Sequence, residues 1–330
     1  MSATEEVVID PQTIRELRLF DSAISDVDKE ITAKQYLMSR DIFANRQNTI
    51  AKIPGFWAVT FDNASSELEA TVTSNDLEVF TKALTAVEVT RPEIPAGAKA
   101  SDSGLDKFGE PRTLNLKFHF QENEWFTDRV IDKTFYFRIG KDGTTGLVSE
   151  PVKINWKSGK DLTEGLSDAA FDFWAAQKNS PSQMLDAVLA NDARHARDAA
   201  AREMPEYKNL AKLLNEKVDG AISFFNFFSY RGRWISAAEH AEAKAEMMAK
   251  RDAAIAGKEE EDDKNDEDDD DEDFTEEAVE TFPAGHEVAV TIAEDVFPNA
   301  IDYFMGDTID SDIDFDDDDE DDDDDEVMEG

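Results

Sequence analysis

From residue 13 to residue 50 the chain has neither Pro nor Gly, and Leu17, Ile24, Ile31 and Met38 recur every seven residues beside Phe20, Val27 and Ile42. This spacing predicts one amphipathic helix from about Pro11 to Lys52, roughly 60 Å long at 1.5 Å per residue. Its stripe is too long to bury against one small domain, so it calls for a partner helix; the alternative is a helix laid along its own domain. Leu17, Ile24, Ile31 and Met38 are therefore read as a dimer interface. Ile53-Pro54-Gly55-Phe56-Trp57 ends the helix, because proline removes a donor and glycine accepts a reversed backbone. A shorter helix is expected near Leu77 to Ala86.

Strict alternation follows in four places: Val87 and Val89; Leu114, Leu116, Phe118 and Phe120; Phe135, Phe137 and Ile139; Val152, Ile154 and Trp156. Each run has one apolar face, as a half-buried strand does. A Lys141-Asp142-Gly143 turn is expected to join the third and fourth, and a polar link from Gln121 to Thr134 the second and third, giving an antiparallel meander. Residues 167 to 223 read as alanine-rich helices, Ser223-Phe224-Phe225-Asn226-Phe227-Phe228 as a buried aromatic cluster, and Ala237 to Ala256 as a further helix. The pattern predicts an α+β fold in which helices cover one side of an antiparallel sheet.

Charge divides the chain further. Of a formal net charge of −42 over 330 residues, −35 falls on residues 259 to 330 and −7 on the remainder. Two acidic runs, Glu259 to Glu280 and Asp307 to Glu329, repel themselves and are expected to stay disordered. Between them, Val288, Ile292, Val296 and Phe297 stand at helical spacing before Pro298 and an Ile301, Tyr303, Phe304 group, a segment expected to dock back onto the body. Arg194, His195, Arg197 and Arg202 make the alanine-rich stretch locally basic and are read as solvated helix faces.

Composition excludes much chemistry. With no cysteine there is no disulfide framework, thiolate zinc site or cysteine nucleophile. The histidines at 119, 195, 240 and 286 stand singly, without HExxH or a completing carboxylate, so no metal is expected. Gly159-Lys160 lacks the earlier glycine of a phosphate loop, and Asp310, Asp312 and Asp314 open a calcium-loop pattern in which Phe315 takes the glycine position. Acidic runs without a fixed, desolvated setting do not make a general acid. No enzyme, cofactor, signal peptide or membrane span is expected. Duplex binding needs a basic patch, so nucleic acid is at most a weak or indirect ligand and a basic protein is the better partner.

The chain resembles the nucleosome assembly protein family of histone chaperones, in particular its SET-like branch. The likeness rests on Ile50-Ala-Lys-Ile-Pro-Gly-Phe-Trp57, Phe118-His-Phe-Gln-Glu-Asn-Glu-Trp-Phe126, Ile154-Asn-Trp-Lys-Ser-Gly-Lys-Asp-Leu-Thr163, Ser223 to Phe228, and Ile292 to Phe304, in that order. It implies a dimerisation helix over 12–53 and an "earmuff" α/β domain over 54–258 with a helical insert at 165–220. It further implies an acidic insert at 259–280, a closing helix of the earmuff at 281–305 and an acidic tail at 306–330. The insert and the acidic block before the closing helix depart from the family pattern. Also implied are binding of core histones of either or both pairs, homodimerisation, contact with histone acetyltransferases, and a nuclear location with shuttling to the cytoplasm left open. The alternatives are an acidic scaffold or inhibitor of chromatin enzymes, or an acidic cation buffer.

The resemblance points to Ser158, Lys160 and Asp161, together with Glu294 and Asp295, as a histone-binding surface. Polar residues following an alternating run that ends at Trp156 must leave the sheet, and Gly159 permits the turn. The competing reading is an ordinary hairpin or strand-to-helix turn, with Asp161 as a cap.

Overall fold

The computed structural model describes residues 10–217, 222–256 and 277–306. Helix α1 (Pro11–Ile50) opens the chain, with the Asp10 side chain accepting from the Thr13 amide at 3.2 Å. Helices α2 (Phe56–Asn63) and α3 (Ser74–Ala83) follow, then strands β1 (Leu84–Thr90), β2 (Leu114–Phe120), β3 (Val130–Ile139) and β4 (Thr145–Ser149). They pair antiparallel in the order β1-β2-β3-β4, so the expected meander is present. Helices α4 (Leu166–Asn179), α5 (Asn191–Arg202) and α6 (Pro205–Asn215) occupy the stretch read from the resemblance as an insert. After α7 (Ala237–Ile255) the closing segment comprises α8 (Gly285–Thr291), a wide π turn at Ile292–Val296 and α9 (Ala300–Met305).

Two element boundaries differ from the sequence reading. The fourth strand is Thr145–Ser149, not the run Val152 to Trp156. In that run Ile154 is buried, but its backbone serves other partners: the Val152 amide donates to Phe228 O at 2.8 Å, and Trp156 forms an isolated bridge with Phe126. Alternation reports one-sided burial and does not require a ladder. The helix expected at 77–86 ends at Ala83, where the chain turns straight into β1, and Phe56 and Trp57 begin a helix of their own.

One sheet face packs on the aromatic core. Leu114, Leu116, Phe118 and Phe120 all point inward from β2, and the Phe224 to Phe228 run lies over them fully buried. Phe224 lies within 6.2 Å, centroid to centroid, of Phe61, Phe80, Phe118, Phe227, Phe228 and Phe282. Edge and tilted contacts of this kind add to area burial. Asp76 locks the run in place: its carboxylate caps α3 through the Thr73 amide and also accepts from Ser223 Oγ at 2.5 Å and the Phe224 amide at 2.8 Å. The other face carries polar cross-strand pairs, Glu88 with His119 at 3.0 Å and Lys117 with Asp132 at 3.3 Å.

Buried charge explains how the insert and the closing segment attach. Arg194 and Arg197, expected on solvated faces, are 4% and 6% exposed. Arg194 Nη2 donates to Glu239 at 2.6 Å, and the same carboxylate accepts from the Lys141 amide at 3.2 Å, so α5, α7 and the β3–β4 turn meet there. A charge removed from water in this way needs a partner of this quality. The structure also moves the edge of the first acidic run. Of this run, expected to stay disordered through Glu280, residues 277–280 are placed on the body; Val279 enters the core between α4 and α6, and Glu280 accepts from the amides of Arg231, Gly232 and Phe282 at 3.0, 3.0 and 3.1 Å. The rest of both acidic runs lies outside the described residues.

Candidate functional site

The sequence assigned two functional surfaces, a dimer seam and a histone-binding face. On α1, one side is covered by this protomer: Ala33, Tyr36 and Leu37 pack on Ile94 and Phe108, while Arg251 of α7 donates to Ser22 at 3.2 Å and pairs with Asp26. At the C-terminal end Arg46 donates to Phe297 O and Pro298 O at 2.7 and 2.8 Å and sits over the Phe43 and Phe297 rings. Burial pulls its guanidinium down to about 10. The seven-residue stripe faces the opposite way. Its members are exposed from 53% at Leu17 to 69% at Met38, with Phe20, Ile24, Val27, Ile31 and Ile42 in between. Monomeric surfaces seldom leave a continuous apolar band of this length in water.

The loop after Trp156 is built by its own backbone and by the segment after β2. The Lys157 amide donates to Trp125 O at 2.7 Å, Gly159 has φ +72° and the Lys160 amide donates to Lys157 O at 3.0 Å, closing the turn. Asp161 faces inward to this loop: one oxygen accepts from the Thr163 amide and hydroxyl at 2.8 and 2.6 Å, the other from the Gly165 amide at 2.7 Å. That carboxylate closes the turn that leads into α4 without capping the helix itself, whose first residue follows Gly165. Ser158 is exposed, and Lys160 pairs with Glu124, which Lys82 also approaches at 3.6 Å. The Lys160 hydrogen bond holds the Glu124 carboxyl below its ordinary range. This is an exposed patch of both signs.

Glu294 and Asp295 sit on the π turn. The Phe297 amide bonds back to Ile292 O at 2.9 Å, and this extra residue in the turn lets Ile292, Ala293 and Val296 stay buried while the two acids face out. Glu294 accepts from Arg91 Nη2 at 2.7 Å, and Arg91 is buried against Pro111 O. Asp295 accepts from Asn299 Nδ2 and the Tyr303 hydroxyl, each at 2.8 Å; burial and then this carboxylate push the Tyr303 phenol up.

These two groups of residues do not come together. The Ser158 to Asp161 loop lies by Glu124, beyond Phe120, which pairs with Leu84 at the start of β1; Glu294 lies by Arg91, past the Thr90–Asn115 pair at the other end. Six strand steps, about 20 Å, separate these ends. The face read as one surface is two patches.

Sequence reasoning did not single out Arg91, Arg46, Glu280 or Lys133. For Lys133 a signal existed: it shares the parity of Ile131 and Phe135 and so must face the core. It is fully buried, donates to Glu150 O and Tyr230 O at 2.8 and 2.6 Å, and is pulled down to about 7 by burial against the opposing pull of Glu280 and Glu150. Among the described residues there is no group of acids and histidines able to hold a metal ion, and no helix long and apolar enough to cross a membrane.

A sequence profile described as Nucleosome assembly protein (NAP) matches residues 21–307, which takes in α1 from its eleventh residue, the sheet, helices α4 to α7 and the closing segment. The chain belongs to the nucleosome assembly protein family. NAP1-related protein 1 of Arabidopsis thaliana is 27% identical over 225 residues, covering 67% of this chain and 78% of that protein. Human Protein SETSIP is 31% identical over 139 residues, 42% of this chain and 40% of its own. The crystal structure of Ccp1 overlaps with a TM-score of 0.46 at 19% identity, covering 89% of this chain and 95% of that one. Within the nucleosome assembly protein family this chain combines a long N-terminal helix with a four-stranded antiparallel sheet and the three helices α4 to α6.

Proposed function

We propose that this chain is a homodimeric histone chaperone of the nucleus, which binds core histones, shields their charge and passes them to DNA as nucleosomes form and come apart. The reading is carried by the segregation of charge on a nucleosome assembly protein fold: −35 on residues 259 to 330 beside a body at −7. Long-range attraction by such runs raises encounter rates, while shaped contacts on the folded body give selectivity. The two patches around Ser158 and Lys160 and around Glu294 and Asp295 are the body contacts we assign, with Asp161 holding the first in shape. No catalytic step is needed.

The dimer follows from the exposed stripe. Leu17 and Ile42, Phe20 and Met38, and Val27 and Ile31 are spaced almost symmetrically about Lys29, so two copies of α1 set antiparallel about a two-fold axis bring apolar positions against apolar positions.

Removal of residues 307–330 tests the division of labour. The shortened dimer is expected to capture core histones several-fold more slowly, with a shallower dependence of on-rate on salt, yet to retain the salt-resistant part of its affinity, since exposed charges are screened beyond about 8 Å at physiological ionic strength. Stopped-flow association at several salt concentrations reads both quantities. An isolated 307–330 peptide that bound histones as tightly and selectively as the whole chain would overturn the role given to the body.

A further inference from the structure

The insert builds a cleft that neither the seam nor the two patches use. The end of α4, the turn at 180–187, Glu150 after β4 and Trp234 before α7 enclose an open cavity of about 460 Å³. Trp174 and Trp234 form its aromatic wall, ring centroids 4.7 Å apart and tilted by 56°. The Trp234 indole is fixed by its Nε1 donating to Leu185 O at 2.9 Å. Met184, 44% exposed, stands on the rim. These apolar surfaces meet two carboxylates, Glu150 and Asp186.

The cleft already displays the chemistry it favours. Lys178 reaches both oxygens of Glu150 at 3.3 and 3.1 Å with its ammonium 5.6 Å from the Trp174 ring, and the Arg231 guanidinium lies 4.6 Å from the same ring. Trp174 is thereby filled and is 4% exposed. What remains open is the half-buried indole of Trp234, and beside it Asp186, whose carboxylate has no hydrogen-bond or ion-pair partner among the described residues. With Glu150 paired to Lys178 and Arg231 set behind the covered Trp174 ring, the charge left facing the opening is that of Asp186, and the final carbonyls of α4 add to its sign. An anion is disfavoured there. A compact ammonium would meet a single free aromatic wall, whereas a planar guanidinium can lie flat on an indole and fork to a carboxylate at once. The volume suits one long side chain with its neighbouring backbone and not a whole helix.

We propose that this cleft binds an arginine side chain of an extended basic polypeptide, stacked on Trp234 and forked to Asp186. The source of that arginine rests on the chaperone reading; the cleft's preference for guanidinium over ammonium does not.

The test uses the full-length chain and two twelve-residue probes, alternating Gly-Arg and alternating Gly-Lys, titrated by fluorescence anisotropy at about 0.3 M salt so that attraction to the acidic runs is largely screened. The native chain is expected to bind the arginine peptide about fivefold more tightly than the lysine peptide. Asp186→Asn, at an exposed position without a partner, is expected to abolish that preference while changing lysine-peptide binding by less than about twofold. Trp234→Leu, checked for an unchanged melting temperature, is expected to do the same. Equal binding of both peptides by the native chain, or a preference that survives Asp186→Asn, overturns the proposal. Core-histone capture is scored in parallel: capture without arginine preference overturns the cleft alone, and arginine preference without capture supports the cleft and overturns the chaperone reading.

Discussion

Replacing Ile24 and Ile31 together by aspartate is expected to convert the protein from a species of twice 36.9 kDa into one of 36.9 kDa by light scattering at micromolar concentration. Both side chains are more than half exposed on the single protomer, so the change costs the isolated fold little. In an antiparallel pair centred near Lys29, however, it places four carboxylates in the apolar seam close to the two-fold axis. Desolvating unpaired charges and setting like charges together costs several kcal/mol, enough to shift a dimer by orders of magnitude in dissociation constant. The N-terminal half of α1 remains held by Arg251 on its covered face, so helix content is expected to fall only modestly. A double variant that kept the doubled mass would place the contact elsewhere.

Glu280→Ala is expected to destabilise the folded body by about 2–4 kcal/mol, since each part-buried donor left without an acceptor costs up to about 1–3 kcal/mol. Three backbone amides, those of Arg231, Gly232 and Phe282, lose their acceptor in a half-buried setting, and Lys133 loses one of the two acids that favour its charged form. Burial pushes the Glu280 carboxyl up, so this side chain is held at a cost that the three donors offset only in part. Urea unfolding reads the loss as a lower midpoint with an unchanged slope. Glu280→Gln, which keeps an acceptor oxygen, is expected to lose less. If Glu280→Ala unfolded at the native midpoint, the junction between the acidic block and the body would be a surface contact, not an anchor.

Periodicity alone made the long helix legible, because seven apolar side chains repeated without interruption by Pro or Gly, and the covered and open faces of α1 are both set by that repeat. The meander was legible for the same reason in β2, where every second residue is apolar and buried. It failed at Val152 to Trp156, where one-sided packing imitates a strand, and β4, with Gly146 and few apolar positions, gave no comparable signal. Charge misled in two places. Arg194 looks solvated in an alanine-rich helix because its acidic partner, Glu239, lies far along the chain, whereas Arg197 pairs with the adjacent Asp198 and its burial is set by packing that the local pattern does not show. Glu280 ends an acidic run in sequence but is tied to the body in space, since only the fold brings the Arg231 and Gly232 amides to it. The candidate patches were legible one residue at a time; the distance between them was not, because it is set by strand register.

The most direct test of the central claim is nucleosome formation from purified core histones and circular DNA at about 0.15 M salt, with and without the protein, followed by nuclease digestion. Histones and bare DNA at that ionic strength associate through non-specific phosphate contacts. Screening those contacts by the acidic dimer is expected to suppress precipitation and to yield protected fragments of about 147 base pairs, the length wrapped by one octamer. Precipitation unchanged by the protein, or soluble histones that never protect DNA, would contradict the account.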